Sequence, residues 1–157
     1  LCYGNPARLD DSLGPAFAEA IREDLPPTVR VDVDYQLNVE DAAMMAEHEI
    51  VIFVDASVQG PAPFFFEKLE PSAEISFTSH SISPSALLEL TERVFGVCIS
   101  GYAMGIRGYS FDDFGEKLSS GARENLERAV EFVKGLLKTR DFGRAAENYR
   151  RMTERVC

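Results

Sequence analysis

The 157-residue chain is short of cysteine and of basic residues, and each shortage excludes a class of protein. Its three cysteines, Cys2, Cys98 and Cys157, are far apart and have no CxxC spacing. That pattern does not support a disulfide framework, and it favours a reduced, cytoplasmic location. Lys and Arg number 16 against 26 Asp and Glu. The formal net charge of −10 therefore argues against nucleic acid and against an anionic membrane as partners.

Long apolar runs and phosphate-binding motifs are also absent from the sequence. Because no stretch of about 18 apolar residues occurs, we expect no membrane-spanning helix. No charged-then-apolar signal peptide pattern is visible. There is no GxGxxG and no glycine-rich loop followed by Lys and Ser or Thr, which counts against a nucleotide- or flavin-binding module. At 45% hydrophobic residues, the chain can bury a sizeable core, and its length predicts one domain.

Hydrophobic patterns along the chain alternate between those of strands and those of helices. The predicted strands cover residues 1–3, 29–35, 50–54, 64–69 and 94–99, and residues 75–78 fit either a strand end or a loop. The predicted helices cover residues 12–24, 38–46, 84–90 and 122–138. Residues 101–115, with four glycines, are predicted to form a long loop. Residues 1–140 then form the α/β domain, and the charged tail 141–157 is either a terminal helix, packed by Phe142, Tyr149 and Met152, or a frayed end.

Strands that alternate with helices predict an α/β fold, here a three-layer α/β/α sandwich around a five-stranded, mostly parallel twisted sheet. Right-handed crossovers leave few topologies, and the strand order 2-1-3-4-5 is the simplest of them. In that order the first and third strands are neighbours. Ligands of open α/β sheets bind at such a point, outside the carboxyl ends of the strands.

The opening segment leads from a strand into a helix through two adjacent acids. Gly4-Asn5-Pro6 is a turn signal, Asp10 and Asp11 follow it, and a helix pattern begins at Ser12. Asp55 directly follows the third predicted strand. Because the first and third strands end at the same edge, Asp11 and Asp55 are predicted to meet there. Acidic side chains at this edge favour a cation or a proton over a phosphate.

His80 is the candidate for a third ligand, since it precedes the third helix at the same edge, whereas His48 lies at the opposite edge. One imidazole and two carboxylates suit a borderline divalent ion such as Zn²⁺ or Ni²⁺. The pattern equally allows three separate roles, with Asp11 as a helix cap, Asp55 as a turn residue and His80 as a loop residue. For Asp10 the alternatives are a general base and a helix cap.

A wider set of motifs resembles the hydrogenase maturation proteases, endopeptidases that trim the large subunit of nickel–iron hydrogenases. The motifs are Gly4-Asn5-Pro6, Asp10-Asp11-Ser12-Leu13-Gly14, Ile52-Phe53-Val54-Asp55-Ala56, Ser79-His80 and Leu118-Ser119. The resemblance spans residues 1–138. One departure is Asp34-Tyr35-Gln36-Leu37, where several members of that family have Asp-Gly-Gly-Thr.

The resemblance implies an α/β/α fold with a catalytic metal-recognition site formed by Asp11, Asp55 and His80. It implies that the site recognises nickel already inserted in the hydrogenase precursor, with zinc or another divalent ion as a substitute. The expected activity is removal of a short C-terminal extension from that precursor by a cytoplasmic monomer. Residues 101–115 lie at the same edge of the predicted sheet and contain Tyr102, Arg107 and Tyr109. This segment either binds the precursor or forms an ordinary surface loop. The alternative function is a non-catalytic nickel-checking or assembly factor on the same fold.

Overall fold

The structure is a computed structural model that describes residues 1–72 and 82–154, with side chains described as far as residue 151. The strands are β1 (Cys2–Tyr3), β2 (Val33–Asp34), β3 (Ile50–Ser57), β4 (Phe64–Lys68) and β5 (Ser100–Arg107). The helices are α1 (Leu13–Ile21), α2 (Asp41–Met45), α3 (Pro84–Phe95), α4 (Ser120–Thr139) and α5 (Phe142–Glu154). Short 3-10 helices at Leu9–Ser12 and Arg22–Asp24 flank α1. None of the helices in the described ranges combines the length and the apolar character that crossing a membrane requires.

The strands form one five-stranded sheet in the order β2-β1-β3-β5-β4. All neighbours are parallel except β4, which runs antiparallel to β5. The predicted fold class, a mostly parallel five-stranded sheet flanked by helices, is confirmed. The predicted strand order is wrong, because β5 lies between β3 and β4. β4 ends in the exposed pair Glu67 and Lys68, which suits an edge strand, since charged residues there discourage pairing with another chain.

The last predicted strand is displaced along the chain. Val94 and Phe95 belong to the final turn of α3 and are 63% and 45% exposed. Gly96 ends that helix in the left-handed conformation, with φ of 65°, as glycine readily does. The predicted strand over residues 94–99 is therefore wrong, since an exposed helix end separates Val94 from the sheet.

The segment predicted as a glycine-rich loop begins instead with β5, the strand that pairs with β3 over eight residues. Its glycines accommodate large neighbours. A Cβ on Gly101 would lie 2.2 Å from Leu88 Cδ1, and one on Gly105 would lie 2.1 Å from Phe65 Cε1. Glycine inside a strand can thus mark the close approach of another side chain rather than a turn.

Helices cover both faces of the sheet, and each face has its own apolar core. The core beneath α1, α4 and α5 includes Phe17, Ile21, Val54, Phe66, Met104, Ile106, Ala129 and Val133. The core beneath α2 and α3 includes Leu37, Met45, Val51, Phe53, Leu87 and Leu88. Alternation along β3 places Asp55 on the same face as Val51 and Phe53.

The charged tail forms a helix and packs against the edge of the sheet. Phe142 is buried, and the Tyr149 ring stacks on Phe64 with a centroid separation of 5.1 Å. The Tyr149 hydroxyl also donates a hydrogen bond to the Phe64 carbonyl oxygen. The side chain of Met152 and residues 155–157, including Cys157, lie outside the described residues. The helical alternative is therefore the one that the structure shows for Phe142–Glu154, while the division at residue 140 stays a prediction.

Candidate functional site

The loop after β1 folds back tightly on the end of its own strand. Gly4 has a φ of 142°, and a Cβ there would lie 2.1 Å from the Asp11 carbonyl oxygen. Gly14, in the first turn of α1, is packed in the same way, since its Cβ would lie 2.1 Å from the Tyr3 carbonyl oxygen. These two close contacts place the 3-10 helix at Leu9–Ser12 directly over the carboxyl end of β1.

Asp11 lies in that 3-10 helix and is partly exposed. Its Oδ2 accepts a hydrogen bond of 3.2 Å from the Asn5 backbone N–H. The residue that precedes α1 is Ser12, and neither its side chain nor that of Asp11 makes a capping hydrogen bond to that helix within the described residues. Asp11 therefore binds the turn rather than α1.

Asp55 lies within β3, which continues to Ser57 and so extends past the predicted strand end. Its Oδ1 accepts a 2.7 Å hydrogen bond from the Ala56 backbone N–H. Burial raises the pKa of Asp55, and the negative charge of Asp11 raises it further, whereas the hydrogen bond from Ala56 lowers it; the result is a pKa of about 6. The structure thus brings Asp11 and Asp55 to one edge, close enough for their charges to interact.

Tyr3 is a further member of this edge that pattern analysis of the sequence did not identify. Cys2 pairs with Val54, so Tyr3 lies beside Asp55 on the neighbouring strand. Burial raises the pKa of the Tyr3 phenol, and the charge of Asp55 adds to this effect. Tyr3 can be identified as a neighbour of Asp55 only when the register between β1 and β3 is known.

The third predicted ligand, His80, lies outside the described residues. Within residues 1–72 and 82–154, no group of three or more His, Cys, Asp or Glu side chains is arranged to hold a metal ion. The three-residue set of Asp11, Asp55 and His80 therefore stays a prediction. The other histidine, His48, directly precedes Glu49 and β3 at the opposite edge of the sheet. Its Nε2 is buried without a hydrogen-bond partner in the described part of the chain.

Asp10 is not available as a general base. It is fully buried, and its carboxylate accepts four hydrogen bonds. The backbone N–H groups of Tyr109 and Ser110 donate to Oδ2 at 2.7 and 3.0 Å, the Ser119 hydroxyl donates to Oδ2 at 2.7 Å, and the Ser119 backbone N–H donates to Oδ1 at 2.7 Å.

The electrostatics of Asp10 agree with a structural role. Burial by itself raises its pKa, but the hydrogen bonds from Ser119, Tyr109 and Ser110 together lower it below the ordinary value. Ser119 also caps α4, because its hydroxyl accepts a 3.3 Å hydrogen bond from Ala122 N–H. The Asp10 charge thus lies at the positive end of a 20-residue helix, where an anion is favoured. Asp10 ties the opening loop to the start of α4.

The donor set at the edge suits a cation. The negative charge of Asp11 raises the pKa of Asp55, and a positive ion between the two carboxylates would relieve that repulsion. Carboxylate oxygens with one imidazole form a mixed oxygen and nitrogen set of the kind that divalent transition ions bind. Asp11 and Asp55 therefore fit a divalent ion, with His80 as the predicted third donor.

The fold is similar to those of solved hydrogenase maturation proteases. Hydrogenase maturating endopeptidase HybD from E. coli is 21% identical, with a TM-score of 0.65 over 88% of this chain and 90% of that one. The [NiFe] hydrogenase maturation protease HycI from Thermococcus kodakarensis KOD1 is 23% identical, with a TM-score of 0.60 over 87% and 89%. A hydrogenase 2 maturation peptidase from Thaumarchaeota archaeon SCGC_AB-539-E09 is 20% identical, with a TM-score of 0.62 over 87% and 94%.

Sequence comparisons give no further relatives. No family model matches the chain, and no curated protein matches it. At identities of 20–23%, the structural likeness establishes a shared fold. This chain therefore has the α/β fold of the hydrogenase maturation proteases.

Proposed function

We propose that this protein is an endopeptidase that removes the C-terminal extension from the nickel-loaded precursor of a nickel–iron hydrogenase large subunit. The observation that carries the proposal is the meeting of Asp11 and Asp55 at the carboxyl edge of the sheet, where the charge of one raises the pKa of the other. It is supported by a fold shared with HybD and HycI, which are maturation proteases. The protein would act as a cytoplasmic monomer.

In this proposal the nickel ion belongs to the substrate. Asp11, Asp55 and His80 would complete its coordination when the precursor docks at the edge of the sheet. A cation bound beside a peptide polarises the neighbouring carbonyl group and lowers the pKa of a bound water molecule. Zinc or another divalent ion would bind the same donors in place of nickel.

Without a bound ion, the pKa of Asp55 is about 6, above that of an ordinary carboxyl, and coordination of a cation would favour its deprotonated form. Asp11 remains partly exposed and can reach a ligand without large rearrangement. Asp10, held by four donors, fixes the loop that carries Asp11.

The test is cleavage of a nickel-loaded precursor by the purified protein, followed by mass spectrometry of the released extension. We expect Asp11→Asn, Asp55→Asn and His80→Gln each to slow cleavage by about tenfold or more, since each would remove one donor to the ion. Asp113→Asn, an exposed acid, and His48→Gln, at the opposite edge, are the matched controls and should cleave at the wild-type rate.

Two outcomes would contradict the proposal. Cleavage at the wild-type rate by all three ligand variants would show that these side chains have no part in the reaction. If the wild-type protein bound the nickel-loaded precursor but released no extension, the nickel-checking or assembly factor would be favoured instead.

A further inference from the structure

Arg107 is the last residue of β5 and lies beside the candidate site. It pairs with Ser57, two residues beyond Asp55 along β3, which is about 7 Å of strand. Its backbone is fixed on both sides. Arg107 N–H donates to the Pro63 carbonyl oxygen at 3.1 Å, and the next N–H, that of Gly108, donates to the Ser57 carbonyl oxygen at 3.1 Å.

The guanidinium group of Arg107 has unused hydrogen-bonding capacity. Its Nη1 is buried and has no hydrogen-bond partner among the described residues. No ion pair joins Arg107 to an acid within the described ranges. Buried polar atoms in proteins are almost always hydrogen-bonded, and an arginine stays charged at any physiological pH. This donor therefore lacks an acceptor in the part of the chain that the structure describes, and one brought by a ligand would satisfy it.

The Tyr109 ring lies against the guanidinium, and Asn125 binds both the ring's hydroxyl and the Arg107 backbone. Its central carbon lies 5.3 Å from the centroid of the Tyr109 ring. Asn125, buried on α4, donates from Nδ2 to the Arg107 carbonyl oxygen at 2.8 Å and to the Tyr109 hydroxyl at 3.1 Å. Gly121 leaves room for the ring, because a Cβ there would lie 2.7 Å from Tyr109 Cε2. Contact with the ring limits the conformations of the guanidinium, which reduces the entropy that it loses on binding.

We infer that Arg107 is a specificity-determining residue that binds a carboxylate of the substrate polypeptide. The inference rests on the proposed function, which places a peptide along this edge. A planar guanidinium matches a carboxylate in shape and charge better than it matches any other group of a peptide. The carboxylate is either an Asp or Glu side chain of the extension or the C-terminal carboxylate itself. The chain has a net charge of −10, so most of its surface repels an acidic peptide. Arg107 provides a local positive charge that attracts a carboxylate at this one position.

The experiment measures binding rather than cleavage. Fluorescein-labelled synthetic peptides copy the C-terminal extension of a hydrogenase large-subunit precursor in three forms. One is unchanged, one has Gln and Asn in place of Glu and Asp, and one has an amidated C-terminus. Fluorescence polarisation gives the affinity of each for the wild type, Arg107→Met and Arg107→Lys. Arg128→Met is the control, since it removes the same charge from an exposed position in α4.

We expect Arg107→Met to weaken binding of the unchanged peptide by about tenfold or more, and Arg107→Lys to have an intermediate effect. The peptide that lacks the recognised carboxylate should bind the wild type and Arg107→Met with equal, weak affinity. If this is the Gln and Asn peptide, the carboxylate belongs to a side chain. If it is the amidated peptide, the carboxylate is the C-terminal one. Arg128→Met should bind as the wild type does.

Equal affinity of wild type and Arg107→Met for the unchanged peptide would overturn the inference, as would an equal loss for all three peptides. Failure of the proposed function looks different. If peptide binding depended on Arg107 but no precursor were cleaved, the proposed protease activity would be contradicted and the inferred carboxylate site would stand.

Discussion

Replacing Asp10 by Asn tests whether this buried carboxylate holds the opening loop to α4. An amide has one acceptor oxygen, so at best three of the four hydrogen bonds survive, each without its charge. The amide NH₂ then faces the Ser119 N–H, a donor now 2.7 Å from Oδ1. A hydrogen bond to a charged group contributes about 1.5–3 kcal/mol and a neutral one about 0.5–1.5 kcal/mol, while a buried unpaired donor costs about 1–3 kcal/mol.

Those losses are partly offset because the amide, unlike the carboxylate, carries no charge to desolvate on burial. We expect a net loss of about 3 kcal/mol in the free energy of unfolding at pH 7. For a chain of this length, that corresponds to a fall of about 6–12 °C in Tm. The assay is urea denaturation followed by far-ultraviolet circular dichroism, with thermal melts alongside. Asp113→Asn, an exposed acid between β5 and α4, should lie within about 0.5 kcal/mol of the wild type.

The pH dependence follows from the lowered pKa of Asp10. The folded protein releases this proton more readily than the unfolded chain, so the stabilisation is complete above the ordinary pKa of 3.8 and is lost as pH falls through the lower folded value. The gap between wild type and Asp10→Asn should be constant from about pH 5 to 8 and shrink below about pH 4. A variant within 0.5 kcal/mol of the wild type across that range would refute the argument.

Three further predictions concern β5 and the acidic pair. Gly105→Ala should lower the free energy of unfolding by about 1–3 kcal/mol, because the new Cβ would collide with the Phe65 ring. Gly135→Ala should raise it by about 0.5–1 kcal/mol, because the position lies in open space on α4. Urea denaturation measures both changes. Asp55→Asn should stabilise the protein by about 1–2 kcal/mol at pH 7. The pKa of Asp55 is raised to about 6 in the folded protein, so ionisation of this side chain costs stability as the pH rises through 6 and costs nothing below about pH 4, whereas the Asn variant has no such cost. The gain should disappear below pH 4, and a gain independent of pH would contradict the assigned cause. Asp11→Asn should lower the pKa of Asp55, as followed by NMR of its carboxyl carbon; an unchanged midpoint would mean that the two charges do not interact.

The sequence predicted those elements whose local signals agree with their environment. The apolar run before Asp55 and the Ser83-Pro84 helix start were recognisable because burial and capping leave direct marks on composition. At Ser83, the side chain accepts from Ala86 N–H at 3.2 Å, as the pattern predicts. The predicted strand order is correct for its first three strands, so it placed the first strand beside the third. That adjacency was enough to predict that Asp11 and Asp55 lie at the same edge of the sheet.

The errors arose where distant packing outweighs local preference. Gly101 and Gly105 suggest a loop, and only the positions of Leu88 and Phe65 explain why they lie in a strand. The role of Asp10 was equally hidden, because all four of its donors come from Tyr109, Ser110 and Ser119. Its neighbour Asp11 carries the same side chain and faces a different environment, so residue type alone could not separate their tasks.

The bond between Asp10 and Ser119 spans 109 residues of sequence, which makes the acidic edge a late product of folding. A nascent chain that has not yet released α4 from the ribosome lacks both Ser119 donors, which are two of the four that hold Asp10. Cutting the chain before Ser119 should therefore loosen the Leu9–Ser12 turn that carries Asp11, although every one of these acids remains in the fragment.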